Sequence, residues 1–398
     1  MSQDPVRGTV APGFEPVREA FAENFALRGE LGAACAVYLR GEKIVDLWGG
    51  VRDHATGALW EEDTMATVFS TSKGMSAIAL AVAHGRGWLD YDAPVATYWP
   101  EFAQNGKGAV TVRQLLNHQA GLAAVDTIFD AAKLADLDLV ARGLAAQAPA
   151  WEPGHRHGYH GITLGWYEGE LIRRVDPQGR SLGRFFQDEV ATPLGIQFYI
   201  GLPKDVPPER VANIKGFHPL QMLLHLHTLP WRFVLAYLNP TSLTARAFNN
   251  PRFLNPAQLD DPAYRVVEIP AANGIGQARA IARAYGAVAM GGAELGLTPA
   301  TLEALVAPAI APPAGPRDAV LHVDSAFGLG FLKPSPLLRF GSSDRAFGTP
   351  GAGGSFGFAD PDLGLGFAYV MNRMGFHLVD DPRERRLREA VYRCVSEA

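Results

Sequence analysis

The chain reads as an α+β protein: an antiparallel sheet assembled from both termini, flanked by helices, with a mainly helical region inserted between the two halves. Three observations predict this. Apolar stretches of strand character gather near the N-terminus and again beyond residue 320. Stretches with helical spacing fill the middle. The regular strand–helix alternation of a doubly wound parallel sheet is missing. The predicted division is a sheet domain of 1–70 with 271–398, and a helical domain of 71–270.

The elements follow in order. FEPVREAFAENFA, from Phe14, spaces its apolar residues as a helix does. GAACAVYLRG and KIVDLWGGVRD read as two strands joined by a turn around Gly41. DHATGALWEED is a polar connector leading to Ser70. SKGMSAIALAVAHGRG is a helix of small residues with Gly85 and Gly87 as stop signals. VTVRQLLNHQAG predicts a short helix ended by Gly121, and FDAAKLADLDLVARGLAAQ another helical run. From about 200 to 270 the sequence is irregular and rich in proline. IGQARAIARAYGAVAMGG restores a helix. DSAFGLGFLKP, AGGSFGFADPD and LGLGFAYVMNRM then read as strands, and DDPRERRLREAVYRCVSE as a closing amphipathic helix.

Composition narrows the function classes. With 47% hydrophobic and 19% charged residues in 398, the chain has ample material for a core and none of the signature of disorder. A net charge of −5 offers no footprint for nucleic acid. The two cysteines, Cys35 and Cys394, read as small buried residues and give no reason to expect an oxidising compartment. MSQDPVRGTVAPGFEPV lacks the basic start and apolar stretch of a secretory signal, so the expected location is the cytoplasm. HPLQMLLHLHTLPWRFVLAYLNP, 218–240, is apolar but is broken by His225, His227, Pro230 and Arg232. It falls short of the ~20 apolar residues of a membrane span and reads as a flap.

Two serines compete as nucleophile. Ser70-Thr71-Ser72-Lys73 is the one S-x-x-K in the sequence. A serine at a helix start has backbone N–H groups and the positive dipole end beside it, and a residue three places on shares its face. Lys73 can therefore reach the Ser70 hydroxyl, provided burial leaves it neutral. The plainer alternative makes Ser70 a helix cap and Lys73 a surface residue. Gly353-Gly354-Ser355-Phe356-Gly357 is a literal G-x-S-x-G. That pattern marks a nucleophile only between a buried strand and a helix, whereas here ADPD and another strand follow.

Three stretches together resemble the serine β-lactamase/penicillin-binding-protein superfamily, and within it the family VIII carboxylesterases related to class C β-lactamases. The first is Ser70–Lys73 with its sequel GMSAIALAVAHGRGWLDYDAPVATYWPEF and VTVRQLLNHQAGL. The second is PGHRHGYH, where Tyr159 follows Pro153-Gly154 at the spacing of the family's catalytic tyrosine. The third is FGTPGAGGSFGFADPDLGLGFAYVMN, similar to the strand that carries Lys-Thr-Gly in β-lactamases. Two departures stand out. Tyr159-His160-Gly161 replaces Tyr-x-Asn, and Thr349-Pro350-Gly351 replaces Lys-Thr-Gly. Loss of the lysine that would hold a β-lactam carboxylate suits neutral esters and lowers β-lactamase or D-alanyl-D-alanine peptidase to alternatives.

The resemblance implies a serine carboxylesterase working through an acyl-enzyme on Ser70, with Lys73 and Tyr159 as base and acid in an order the sequence leaves open. Amide hydrolysis, acyl transfer and a non-catalytic binding role share the fold and stay as further alternatives. It also implies an oxyanion hole from the N–H groups of Ser70 and Ala352. Gly351, Gly353, Gly354 and Ser355 then wall the substrate site, the glycines admitting close approach. Trp231, Phe233 and Tyr237 of the flap are expected to line an apolar acyl or alcohol pocket. His118 reads as structural. His155, His157 and His160 lack partners at ligand spacing, so neither metal nor cofactor is expected, and the expected partner is a small-molecule ester.

Overall fold

The strand-forming stretches at the two ends of the chain pair with one another in the computed structural model, which describes residues 6–217, 224–253 and 255–397. From the N-terminal side come β1 (Val6–Val10), β2 (Gly32–Leu39) and β3 (Glu42–Gly50). From the C-terminal side come β7 (Phe327–Gly328), β8 (Phe331–Leu332), β9 (Phe347–Pro350), β10 (Phe356–Asp360) and β11 (Leu365–Met371). They form one antiparallel sheet in the order β1-β3-β2-β11-β10-β9-β8-β7. The seam between the halves is β2 against β11, with Cys35 opposite Tyr369. A second sheet of two-residue strands, β4 (Ala66–Thr67), β6 (Ile275–Gly276) and β5 (Phe198–Tyr199) in the order β4-β6-β5, stands just ahead of Ser70.

Successive residues of a strand face opposite ways, and β10 shows how the two faces are covered. Gly357 lies under the helix Ala278–Ala289: a methyl there would come within 2.6 Å of Ile281 and 2.7 Å of Tyr285. Phe358 points the other way and stacks on Tyr392 of the helix Pro382–Glu397, ring centroids 6.4 Å apart. That last helix packs on Glu15–Leu27, which also touches β1 and β3.

The helix Thr71–Gly85 is buried from Thr71 to Ala83. Its run of alanines and small residues is apolar on every side, which suits a helix inside a core rather than on a surface. The helix Thr163–Val175 packs along it, and β9 lies against it from the sheet. The serine helix is therefore the contact between sheet and helical layer. The helical run 129–147 divides into Ala131–Leu134 and Leu137–Ala146, each started by an aspartate cap, Asp130 and Asp136. Among the elements that escape the sequence reading are β1, the small sheet, and the helices Thr163–Val175, Leu182–Phe186 and Pro299–Val306. The expected flap, 218–240, lies partly outside the described residues; its described part holds the turn Leu226–Thr228 and the helix Trp231–Leu238. Among the described residues no helix is long and apolar enough to cross a membrane.

Candidate active site

Ser70 sits at the N-terminal end of the buried helix but does not cap it. Its backbone is already helical (φ −65°, ψ −11°), and its side chain makes no cap bond. Ser72 ties the junction together instead. Its Oγ donates to the carbonyl of Phe69 at 2.5 Å and accepts the N–H of Gly274 at 2.8 Å. Phe69 has φ +48°, a left-handed conformation that an aromatic residue adopts only when its surroundings impose it. The effect of this turn is to leave the Ser70 hydroxyl free for other partners.

The first partner is Lys73. Its side chain is fully buried, with Nζ 3.1 Å from Ser70 Oγ, 2.7 Å from the Gly161 carbonyl and 3.0 Å from the Ala271 carbonyl. The reading of Lys73 as a surface residue therefore fails. An ammonium would donate to all three oxygens. A neutral amine has two N–H bonds for the two carbonyls and one lone pair left for the serine proton. Burial favours the second state: it lowers the Lys73 pKa to about 7, with Glu168 pulling the other way.

Tyr159 is the second partner. Its hydroxyl bonds to Ser70, and Lys73 Nζ lies 4.8 Å from the centre of its ring. Burial raises its pKa, the Ser70 bond lowers it, and the nearby Asp318 and Glu168 raise it further, so the net effect keeps the phenol protonated. The ring is stacked on Phe327 and tilted against His118 and Phe248. Its backbone N–H is held by both oxygens of Asp318, at 3.2 and 3.1 Å. Asp318 is itself fully buried and also accepts from the N–H groups of Val320 and Leu321, both at 2.7 Å, and from Ser325 Oγ at 3.3 Å. Burial pushes its carboxyl up to about 6 against these donors.

Two histidines stand behind this pair. His160 Nε2 accepts the Leu122 N–H at 3.0 Å, so its ring proton must sit on Nδ1, which donates to His118 Nδ1 at 3.1 Å. His118 Nδ1 also takes the His160 backbone N–H at 3.0 Å, leaving its own proton on Nε2. Burial is the main cause holding both rings neutral, His160 down to about 3 and His118 well below the ordinary range. His157 bonds to Ser325 at 3.0 Å. Among the described residues no group of three acidic, histidine or cysteine side chains could hold a metal ion.

The glycine run belongs to a tight turn, Ala352–Gly354, and not to a strand. Its glycines are explained by the protein's own packing. A methyl at Gly351 would lie 2.2 Å from Ser355 Oγ and 2.4 Å from the Val68 carbonyl. At Gly354 it would meet the Asp381 carboxyl at 2.9 Å. The carbonyl of Gly353 is fixed by the Gly375 N–H at 2.9 Å and by Arg383 Nη2 at 2.7 Å. The turn carrying Ala352 thus sits against Val68 and Thr71, on either side of Ser70. Ser355 is 1% exposed, donates to the Val68 carbonyl at 2.8 Å and lies 3.1 Å from Thr71 Oγ1. It fastens the turn to the serine helix.

Trp231 is 66% exposed. Phe233 turns inward, and both it and Tyr237 pack against Phe248, whose ring lies 6.1 Å from that of Tyr159. Ser70, Lys73 and Tyr159 are brought together, Ser355 is held against the residues flanking Ser70, and Trp231 stands on the surface. Sequence reading did not find Asp318, Glu168 or the two lysine-binding carbonyls, because none carries a local motif.

Comparison with known proteins places the fold in a family. The profile of the beta-lactamase family matches residues 17–392. The esterase/beta-lactamase LipL of Mycobacterium tuberculosis is 35% identical over 374 residues, spanning 93% of this chain and 83% of its own length. A solved family VIII carboxylesterase superposes with a TM-score of 0.85 at 38% identity, over 98% of this chain and 99% of the other. EstA from Arthrobacter nitroguajacolicus Rue61a gives 0.84 at 33% identity, over 98% of each chain. A penicillin-binding-protein homologue from Caulobacter crescentus gives 0.82 at 38%, over 98% and 99%. With the profile spanning nearly its whole length, the chain belongs to the beta-lactamase family and is a serine hydrolase.

Proposed function

We propose that the protein is a carboxylesterase acting on short to medium acyl or aryl esters through an acyl-enzyme on Ser70. The observation that carries this reading is the buried Lys73, 3.1 Å from Ser70 Oγ with both of its remaining N–H bonds taken by carbonyls. As an amine it accepts the serine proton while Oγ attacks the acyl carbon. The oxyanion is received by the N–H groups of Ser70 and Ala352. The departing alkoxide takes the Tyr159 phenolic proton, which the Lys73 ammonium replaces. In the second half a water loses its proton along the same route in reverse, the acyl carbon is transferred to its oxygen, and Ser70 is re-protonated as the acid departs. A raised tyrosine pKa supports Tyr159 as proton donor and Lys73 as the base of acylation. Phe248, Phe327 and Phe233 give the Tyr159 side of the site an apolar wall, which favours uncharged substrates.

The test is covalent. A fluorophosphonate should modify Ser70, mapped by mass spectrometry of the labelled peptide, and Ser70→Ala should lose both the label and p-nitrophenyl ester turnover. A label on Ser355 would overturn the assignment. The name of the Mycobacterium tuberculosis relative motivates a second assay, hydrolysis of a chromogenic cephalosporin. With Thr349 where a lysine would bind the β-lactam carboxylate, that rate should fall well below the ester rate.

A further inference from the structure

One buried group near the site has no structural partner. Glu168, on the helix Thr163–Val175, is fully buried, and neither of its carboxyl oxygens has a hydrogen-bond partner among the described residues. Its location is fixed by Gly330: a methyl there would lie 3.1 Å from Glu168 Oε1 and 3.0 Å from Ala77 Cβ. Ala77 follows Lys73 by four residues on the serine helix and so shares its face. The Glu168 carboxyl therefore stands beside the face of the serine helix that carries the amine. Burying a carboxyl with nothing to bond to is unfavourable, and a leucine or methionine would fill the same volume without that cost. A carboxyl kept there needs a reason other than packing.

We propose that Glu168 is a positioning residue for Lys73, setting the basicity of the amine that takes the Ser70 proton. The proposal rests on Lys73 being that base. Burial alone drives an amine towards a proton affinity too low for it to compete for a serine proton. A carboxyl in the same dry region opposes this and stabilises the ammonium that forms as Ser70 attacks. Glu168 is the acid that acts on Lys73 in this way. The other titratable groups facing Lys73 are Tyr159 and the histidines His118 and His160, all held uncharged by burial. A histidine is neutral or positive and the phenol keeps its proton, so Glu168 is the group whose negative charge can form as Lys73 takes up a proton. Burial also holds the Glu168 carboxyl well above the ordinary carboxylate range while Lys73 lowers it, so the two groups titrate as a linked pair.

The test is the pH profile of kcat/KM on a p-nitrophenyl ester for the wild type and Glu168→Gln. The amide keeps the shape of the side chain and removes its charge. The acid limb should move to lower pH by about one unit or more, and the plateau rate should fall about ten-fold as the base weakens. A role in packing alone would lower the Tm and leave the limb where it is; that result in folded Glu168→Gln overturns the proposal. Should the amide variant not fold, Glu168→Asp, which draws the carboxyl back by one methylene, must shift the limb in the same direction, and an unmoved limb there overturns the proposal equally. Fluorophosphonate labelling of wild-type Ser70 separates the two claims. Labelled Ser70 and a wild-type limb near neutrality, with no shift in the variants, would remove Glu168's role and leave the esterase reading intact. A wild-type profile without such a limb would count against Lys73 as base and against both.

Discussion

Lys73 is held in a pocket of protein oxygens, and its protonation state should be visible in the rate. With its pKa lowered to about 7, the amine is protonated, and unable to accept, below that pH. Ester turnover by the wild type should therefore rise with pH through about 7 and level off above it, in stopped-flow or plate-reader assays across that range. Because Tyr159 stays a phenol, no alkaline loss is expected from it below pH ~10, the ordinary tyrosine value. Tyr159→Phe removes the proposed proton donor but keeps the ring that stacks on Phe327, so the variant should fold as the wild type does. Its kcat should fall by roughly 10²- to 10⁴-fold. Ser355→Ala is the contrasting case. It loses one bond to the Val68 carbonyl and one to Thr71, worth about 1–2 kcal/mol of stability, with activity largely kept.

At the level of elements, the glycine turn shows what sequence could and could not say. Its composition was legible as a close approach, and the groups that approach it in the structure are the Val68 carbonyl, Ser355 and Asp381. Gly351→Ala should accordingly break the turn, since its methyl would lie 2.4 Å from a backbone oxygen. The expected outcome is a drop in Tm and loss of ester turnover together, by thermal melting and assay. The serine helix was readable as a long run of small apolar residues closed by glycines, and the long strands as apolar runs of seven to nine residues. The helix Thr163–Val175 was not, because Gly165 and Gly169 weaken its helical signal. Gly165 is there for contact: a side chain would lie 2.3 Å from the Ala271 backbone nitrogen, beside the carbonyl that binds Lys73. The strands of the small sheet are two residues each, too short for any period to show. The Ser70–Lys73 spacing is local and could be read. Asp318 and Glu168 depend on contacts between distant segments and could not.

Across the whole molecule, the two cysteines report on unfolding. Cys35 lies in β2 at the seam of the sheet, and burial raises its thiol out of the reactive range. Cys394 is buried in the helix Pro382–Glu397, which packs on Glu15–Leu27. A thiol reagent should modify Cys35 only at the rate of global unfolding, while Cys394 should also report local release of the terminal helix. Loss of Cys35 protection under conditions where ester turnover is intact would contradict this placement of the seam.

The same seam has a consequence for the order in which the site comes into being on the ribosome. Ser70 and Lys73 are synthesised early, and Tyr159 follows, but β9, β10, β11 and the turn carrying Ala352 are made only after residue 346. Until they emerge, β2 has no neighbour on its β11 side, and the serine helix has no β9 against it. A nascent chain thus carries Ser70, Lys73 and Tyr159 before the strands that complete the sheet and pack on the serine helix exist, and the proposed centre should stay silent until they are made.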